Sequence, residues 1–149
     1  MRKSMMFLLL AVMLAACTVG PATSTPASPT ADPTGGVAIL FQRSGGLLPS
    51  DLQWAIYPDG QVVTGEGEEK SVAADQVQAL VQEIEGLGFF ELQDSYGLSA
   101  TCNDCYTYRI TVNDGGRVKT VVAVEGASDT PGTVLEIIDA INALLLSLP

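Results

Sequence analysis

Two strand-turn-strand signatures and two amphipathic helical repeats predict an α+β domain, an antiparallel sheet of four to five strands with both helices on one face. The first signature places strands at residues 52–57 and 61–64 around Tyr57-Pro58-Asp59-Gly60, where proline presets one backbone angle and glycine supplies a positive one. In the second, Tyr106, Tyr108, Ile110 and Val112 alternate with Thr107, Arg109, Thr111 and Asn113, Asp114-Gly115-Gly116 reverses the chain, and Val118, Thr120, Val122 and Val124 return. The helical repeats fall between and after them.

Taken in order, Val37, Ile39 and Phe41 alternate with Ala38, Leu40 and Gln42 as far as Arg43-Ser44-Gly45-Gly46, which predicts a strand stopped by a turn at that tetrapeptide. After the first hairpin, residues 65–69 read as a charged loop. Ser71 is placed to cap a helix on which Val77, Leu80, Val81 and Ile84 share a face while Asp75, Gln78, Gln82 and Glu85 meet water, and Gly86 and Gly88 end it. Gly88-Phe89-Phe90-Glu91-Leu92 and a polar loop lead to the second hairpin. Thr130-Pro131 then opens a second helix, with proline in its first turn. Val134, Ile137, Ile138, Ile141, Leu144, Leu145 and Leu148 form a stripe broad enough to demand cover by the sheet.

The amino-terminal region has a different character. Arg2 and Lys3 precede an apolar run of about 12 residues, short of the roughly 20 that cross a bilayer, and small residues stand before Cys17, the anatomy of a cleaved signal peptide over residues 1–16. Leu14-Ala15-Ala16-Cys17 resembles the lipobox of bacterial lipoproteins, and that resemblance implies lipidation of Cys17 and a cell-membrane anchor outside the cytoplasm. Acyl chains contribute about 0.8 kcal/mol per buried methylene, so two or more give durable anchoring. Residues 17–36 form a spacer in which Pro21, Pro26, Pro29 and Pro33 exclude regular structure; about 19 residues of coil span roughly 25 Å. Residues 37–149 make one domain.

Beyond Lys3 the chain holds five basic and seventeen acidic residues. So acidic a surface repels nucleic-acid phosphates and anionic headgroups, leaving the lipid as the membrane contact and excluding a nucleic-acid partner. With no histidine, the usual base of serine and cysteine hydrolases and the usual zinc ligand are both missing, so no catalytic residue, no metal and no cofactor is expected. Glu66, Glu68 and Glu69 read as a solvated face. Trp54, Phe89 and Phe90 read as core.

Cys102-Asn103-Asp104-Cys105 has three readings: a structural disulfide, a redox pair, or half a metal site. The oxidising compartment favours the bridge. A redox pair would sit at the start of a helix, whereas a strand follows here. A zinc site would lack two ligands.

Phe41-Gln42-Arg43-Ser44-Gly45-Gly46, the Leu80-Val81 helix running into Gly88-Phe89-Phe90-Glu91-Leu92, and Tyr106-Thr107-Tyr108-Arg109-Ile110-Thr111-Val112 with Gly115-Gly116-Arg117 and Lys119-Thr120-Val121 resemble the emfourin family of thermolysin-type metalloprotease inhibitors. The resemblance covers most of the domain. It implies an anchored inhibitor that occludes a protease cleft with a loop at residues 43–48, in which Arg43, Gly45 and Gly46 are the candidate partner-binding residues. The alternative is a non-inhibitory envelope lipoprotein that binds another envelope protein or a small ligand through the uncovered sheet face. A polar outer face favours the loop, and a contiguous apolar one favours the binding module.

Overall fold

The computed structural model of the chain describes residues 36–48, 50–98 and 102–149. The chain divides into two units, Met1–Thr30 and Ala31–Pro149, and every described residue belongs to the second. The expected signal peptide, Cys17 and nearly all of the spacer lie outside the described residues.

In chain order the elements are β1 (Ile39–Gly45), β2 (Ser50–Ile56), β3 (Gln61–Thr64), β4 (Glu69–Ser71), α1 (Ala74–Gly86), a 3-10 turn (Phe89–Glu91), β5 (Ser95–Tyr96), β6 (Tyr106–Asn113), β7 (Val118–Val124) and α2 (Gly132–Leu146). The strands form one seven-stranded sheet in the order β4-β3-β2-β1-β6-β7-β5. This corrects the expected antiparallel sheet of four to five strands with two helices on one face. The sheet is mixed, because β5 runs parallel to β7 while all other pairs are antiparallel. Both additional strands are edges of two or three residues, too short to display an alternation. Short edges also offer little template for pairing with another chain.

β1 is the inner strand on which both hairpins meet. It pairs with β2 from Ile39↔Ile56 to Gly45↔Ser50 and with β6 from Ile39↔Val112 to Gly45↔Tyr106. The strand therefore continues through Arg43 and Ser44, where the sequence suggested a turn. Having ladder partners on both sides outweighs the local turn preference of Ser and Gly. Ile39 and Phe41, fully buried, join Ile56, Val62, Ile110, Val112 and Val121 in one hydrophobic cluster with residues of both helices. Phe41 stacks between Trp54 and Tyr108, with ring centroids 5.7 and 6.1 Å away.

α1 buries Val77, Leu80 and Ile84, and α2 buries Val134, Ile137, Ile138, Ile141 and Leu144. α1 is capped differently from expectation: Ser71 belongs to β4 and pairs with Gln61, so the helix begins after Ala73. The Gln76 carboxamide oxygen accepts the Ala73 N–H at 3.0 Å, satisfying a terminal donor without a serine. Pro131 stands just before α2, its extended backbone leading into Gly132.

The reversal from β2 to β3 requires its glycine. Gly60 has φ 95° and donates to the Tyr57 carbonyl at 3.0 Å, and a Cβ there would lie 2.2 Å from the Val72 carbonyl oxygen. The β6–β7 turn is held by Asp114, whose Oδ1 accepts the Gly116 and Arg117 N–H groups at 3.2 and 2.8 Å. Arg117 in turn donates to Asp114 Oδ2 and to Glu85 of α1, and its guanidinium lies 4.1 Å from the Phe90 ring centroid. One arginine thus ties the hairpin to the helix and the 3-10 turn.

Two outcomes follow from this packing. Phe41→Ala removes an inner-strand aromatic that has no room to be refilled from solvent, so urea unfolding should show a loss of about 3–5 kcal/mol. The hydrogen bonds from the Arg117 backbone and then its side chain hold the Asp114 carboxyl below its ordinary 3.8. A depressed folded pKa means that this stabilisation is full above about pH 4 and is lost as pH falls below it. Asp114→Asn should therefore lower stability at neutral pH and shallow its fall below pH 4, measured by urea midpoints across pH.

Candidate functional site

The β1–β2 hairpin ends in a short tip at one end of the sheet. Its flanks are fixed by backbone geometry. Gly45 and Gly46 have φ 90° and 88°, and the Gly46 N–H donates to the Cys105 carbonyl at 3.3 Å. A Cβ on Gly45 would meet that carbonyl oxygen at 2.7 Å, and one on Gly46 would meet the Tyr106 ring at 2.4 Å, so only glycine lets the two segments approach this closely. Leu47 and Leu48 follow, 77% and 83% exposed, the one adjacent pair of large exposed apolar side chains among the described residues.

The segment that receives the tip is itself tied. Cys102 and Cys105 form a disulfide with Cα atoms 5.6 Å apart, immediately before β6. So short a loop restricts the unfolded chain little, and its main effect is local, setting the path into Tyr106. Glu125 reinforces that path, its carboxylate accepting the Tyr106 N–H at 3.3 Å.

Arg43 does not sit on the tip. It lies in β1 between Leu52 and Tyr108, on the same side of the sheet as Phe41, and its guanidinium lies 4.7 Å from the Tyr106 ring centroid. Its Nε is buried without a hydrogen-bond partner. Beside it lies a cavity of about 340 Å³ with Trp54, Leu145 and Leu148 on its walls. Burial, and next the charge of Glu125, push the Tyr108 hydroxyl above its ordinary 10.0.

The opposite face of the sheet contributes nothing to the hydrophobic cluster. Its middle is polar. Gln42 stands between Gln53 and Arg109 in register, and Ser44 stands between Asp51 and Thr107. Gln42 Nε2 donates to Gln53 Oε1 at 2.7 Å, and the Thr111 and Thr120 hydroxyls share a hydrogen bond of 2.8 Å. Over this patch is a concavity of about 600 Å³, bordered by Arg109 on one side and by the β3–β4 turn with Glu66 and Glu68 on the other.

Among the described residues there is no group of three or more histidine, cysteine or carboxylate side chains placed to hold a metal, and no helix long and apolar enough to cross a membrane. The profile of a family described as a domain of unknown function, DUF6438, matches residues 53–145. The chain belongs to that family. No curated protein and no solved structure matches it.

The DUF6438 match runs from within β2 to within α2. β1 and its tip precede it, whereas Gln53, Glu66, Glu68, Thr107 and Arg109 fall inside. Of the three loop residues named from the sequence, Gly45 and Gly46 lie against Cys105 and Tyr106, and Arg43, within β1 and not on the tip, lays its guanidinium over the same Tyr106 ring. The polar patch was not visible beforehand. Gln42, Gln53 and Arg109 become neighbours only through the pairing of β1 with both β2 and β6, which the order of motifs along the chain does not reveal.

Proposed function

We propose that this member of the DUF6438 family is a lipid-anchored protein of the cell envelope that inserts its β1–β2 tip into the cleft of a partner, with a thermolysin-type metalloprotease as the partner the emfourin resemblance implies. The observation that carries the reading is the pair Leu47 and Leu48, held out into solvent on a hairpin whose base is fixed by Gly45, Gly46 and Tyr106. A hairpin whose base is already fixed loses little backbone entropy when a cleft takes up its tip. The middle of the outer sheet face is polar, with Gln42, Gln53, Thr107 and Arg109 there, which favours the tip over a broad apolar docking surface.

The anchoring part of the proposal rests on Leu14-Ala15-Ala16-Cys17 and the apolar run before it. The described domain is compatible with a tether at its start. The chain enters β1 at Ile39, and seven residues of strand carry it roughly 20 Å to the tip, so the start of β1 and the tip lie at opposite ends of the strand. The partner is then another protein of the envelope or its surroundings.

Inhibition is tested with the full chain against a panel of thermolysin-type proteases, following activity over time. Saturable, stoichiometric inhibition is expected. Leu47→Asp and Leu48→Asp should each weaken it about tenfold or more, the loss expected when an apolar side chain is replaced in a dry cleft. Folded, disulfide-intact protein that inhibits none of the panel, or that inhibits equally after both changes, would overturn the reading. Anchoring is tested separately: Cys17→Ser should move the protein from the membrane fraction to the soluble fraction or leave it unprocessed, and an unchanged fraction and mass would exclude the lipid.

A further inference from the structure

The polar concavity on the outer sheet face has two opposed charged borders. Five basic residues follow Lys3 in a chain with seventeen acidic ones, so a basic side chain has many possible partners. Arg117 pairs with Asp114 and Glu85, and Lys119 with Asp94. Arg109, at the centre of β6, makes no ion pair or side-chain hydrogen bond among the described residues, and neither do the carboxylates of Glu66 and Glu68 across the concavity. The two signs face each other without closing.

Their separation is built in. Arg109, Gln42 and Gln53 are consecutive across three strands, and Gly65, next to Glu66, donates to the Gln53 carbonyl at 2.8 Å. With strands about 4.8 Å apart, three intervals separate Arg109 from Gly65, so the acidic and basic borders stand roughly 14 Å from one another at the backbone. The acidic border is fixed, because Thr64 closes the turn through its hydroxyl on the Glu68 N–H at 3.1 Å and its carbonyl on the Gly67 N–H at 2.9 Å. The floor between the borders is a side-chain amide pair. Because Gln42 donates to Gln53, the Gln42 carbonyl and the Gln53 amino group are left to face a ligand as one acceptor and one donor.

We propose that this concavity binds a short peptide with free termini, its carboxylate on Arg109, its ammonium on Glu66 and Glu68, and a peptide group on the Gln42–Gln53 pair. An extended chain advances about 3.3 Å per residue and each charged end adds a contact of about 2.8 Å, so three residues span the borders, and a volume of about 600 Å³ accommodates them. A guanidinium holds a carboxylate through two parallel hydrogen bonds, and an amide pair is the natural complement of a peptide unit. Asp51, beside Ser44 at the tip end of the patch, adds to the acidic border. Arg43 also borders the concavity, but its guanidinium lies over the Tyr106 ring, on the face of the sheet that carries Phe41. This site is independent of the tip and of protease inhibition.

The test is an amide NMR titration of the full chain with trialanine, N-acetyl-trialanine and trialanine amide. Trialanine should produce saturable shifts at Gln42, Gln53, Gly65 and Arg109, and capping either end should weaken binding about tenfold, equivalent to one lost charged contact. Arg109→Gln should abolish the penalty for capping the carboxyl end alone, and the Glu66→Gln, Glu68→Gln pair should abolish the penalty for capping the amino end alone. Unchanged thermal unfolding of these exposed-site variants separates loss of the site from loss of the fold. Absence of saturable shifts, equal binding of free and capped peptides, or shifts reproduced by acetate alone would overturn the proposal. Leu47→Asp should leave the titration unchanged, so failure here and failure of the inhibitor reading are told apart.

Discussion

The two-sided pairing of β1 is the constraint on which the rest of the structure depends. A strand with a ladder on each edge joins β2, β3 and β4 to β6, β7 and β5, and without it the two hairpins would be separate ribbons with no shared core. The same pairing places Phe41 between Trp54 and Tyr108 and sets Ile39 against Ile56 and Val112. Because side chains alternate across a strand, it also sends Leu40, Gln42 and Ser44 to the opposite face. One seven-residue segment therefore supplies the centre of the core and the middle of the polar patch.

The ends of the sheet are maintained by different means. Opposite the tip, the β6–β7 turn is held by Asp114 and Arg117, and Arg117 extends to Glu85 and Phe90. These contacts are exposed, and ion pairs of this kind contribute modestly to stability. At the tip end, apposition of backbones does the work instead: Gly45 and Gly46 lie against Cys105 and Tyr106 with no space for a side chain. The first arrangement responds to pH, whereas the second responds to side-chain volume.

Much of this fold was legible in the sequence, and the illegible parts share a cause. The alternation of Tyr106 to Val112 and of Val118 to Val124, the turn at Pro58-Asp59-Gly60, and the stripes on α1 and α2 are patterns within one segment, and each element is present. β4 and β5 are made by their neighbours rather than by their own composition: Glu69-Lys70-Ser71 becomes a strand because Gln61 to Val63 lies beside it, and Ser95-Tyr96 because β7 does. Arg43-Ser44 differs from the expected turn for the same reason, a local turn preference overridden by two adjacent strands. Ser71 looked like a helix cap until the pairing claimed it. The tip glycines could be picked out as a dipeptide, but the contact with Cys105 that requires them spans about sixty residues of chain and leaves no local mark.

Register is where the tip and the patch meet. A slip of one residue between β1 and β2 or β6 would turn Gln42 and Ser44 inward and bring Phe41 and Arg43 to the outer face, ending both the core and the patch. Hydrophobic alternation opposes such a slip through Ile39 and Phe41, but beyond Phe41 the strand is polar and has less to hold it. There the close fit of Gly45 and Gly46 to the disulfide-bounded segment takes over, since any residue but glycine brought to those positions would collide with the Cys105 carbonyl or the Tyr106 ring. The disulfide adds little to global stability yet fixes the surface against which the two glycines register. Cys102 and Cys105, remote in sequence from Gln42 and Gln53, thereby help decide which face each glutamine occupies.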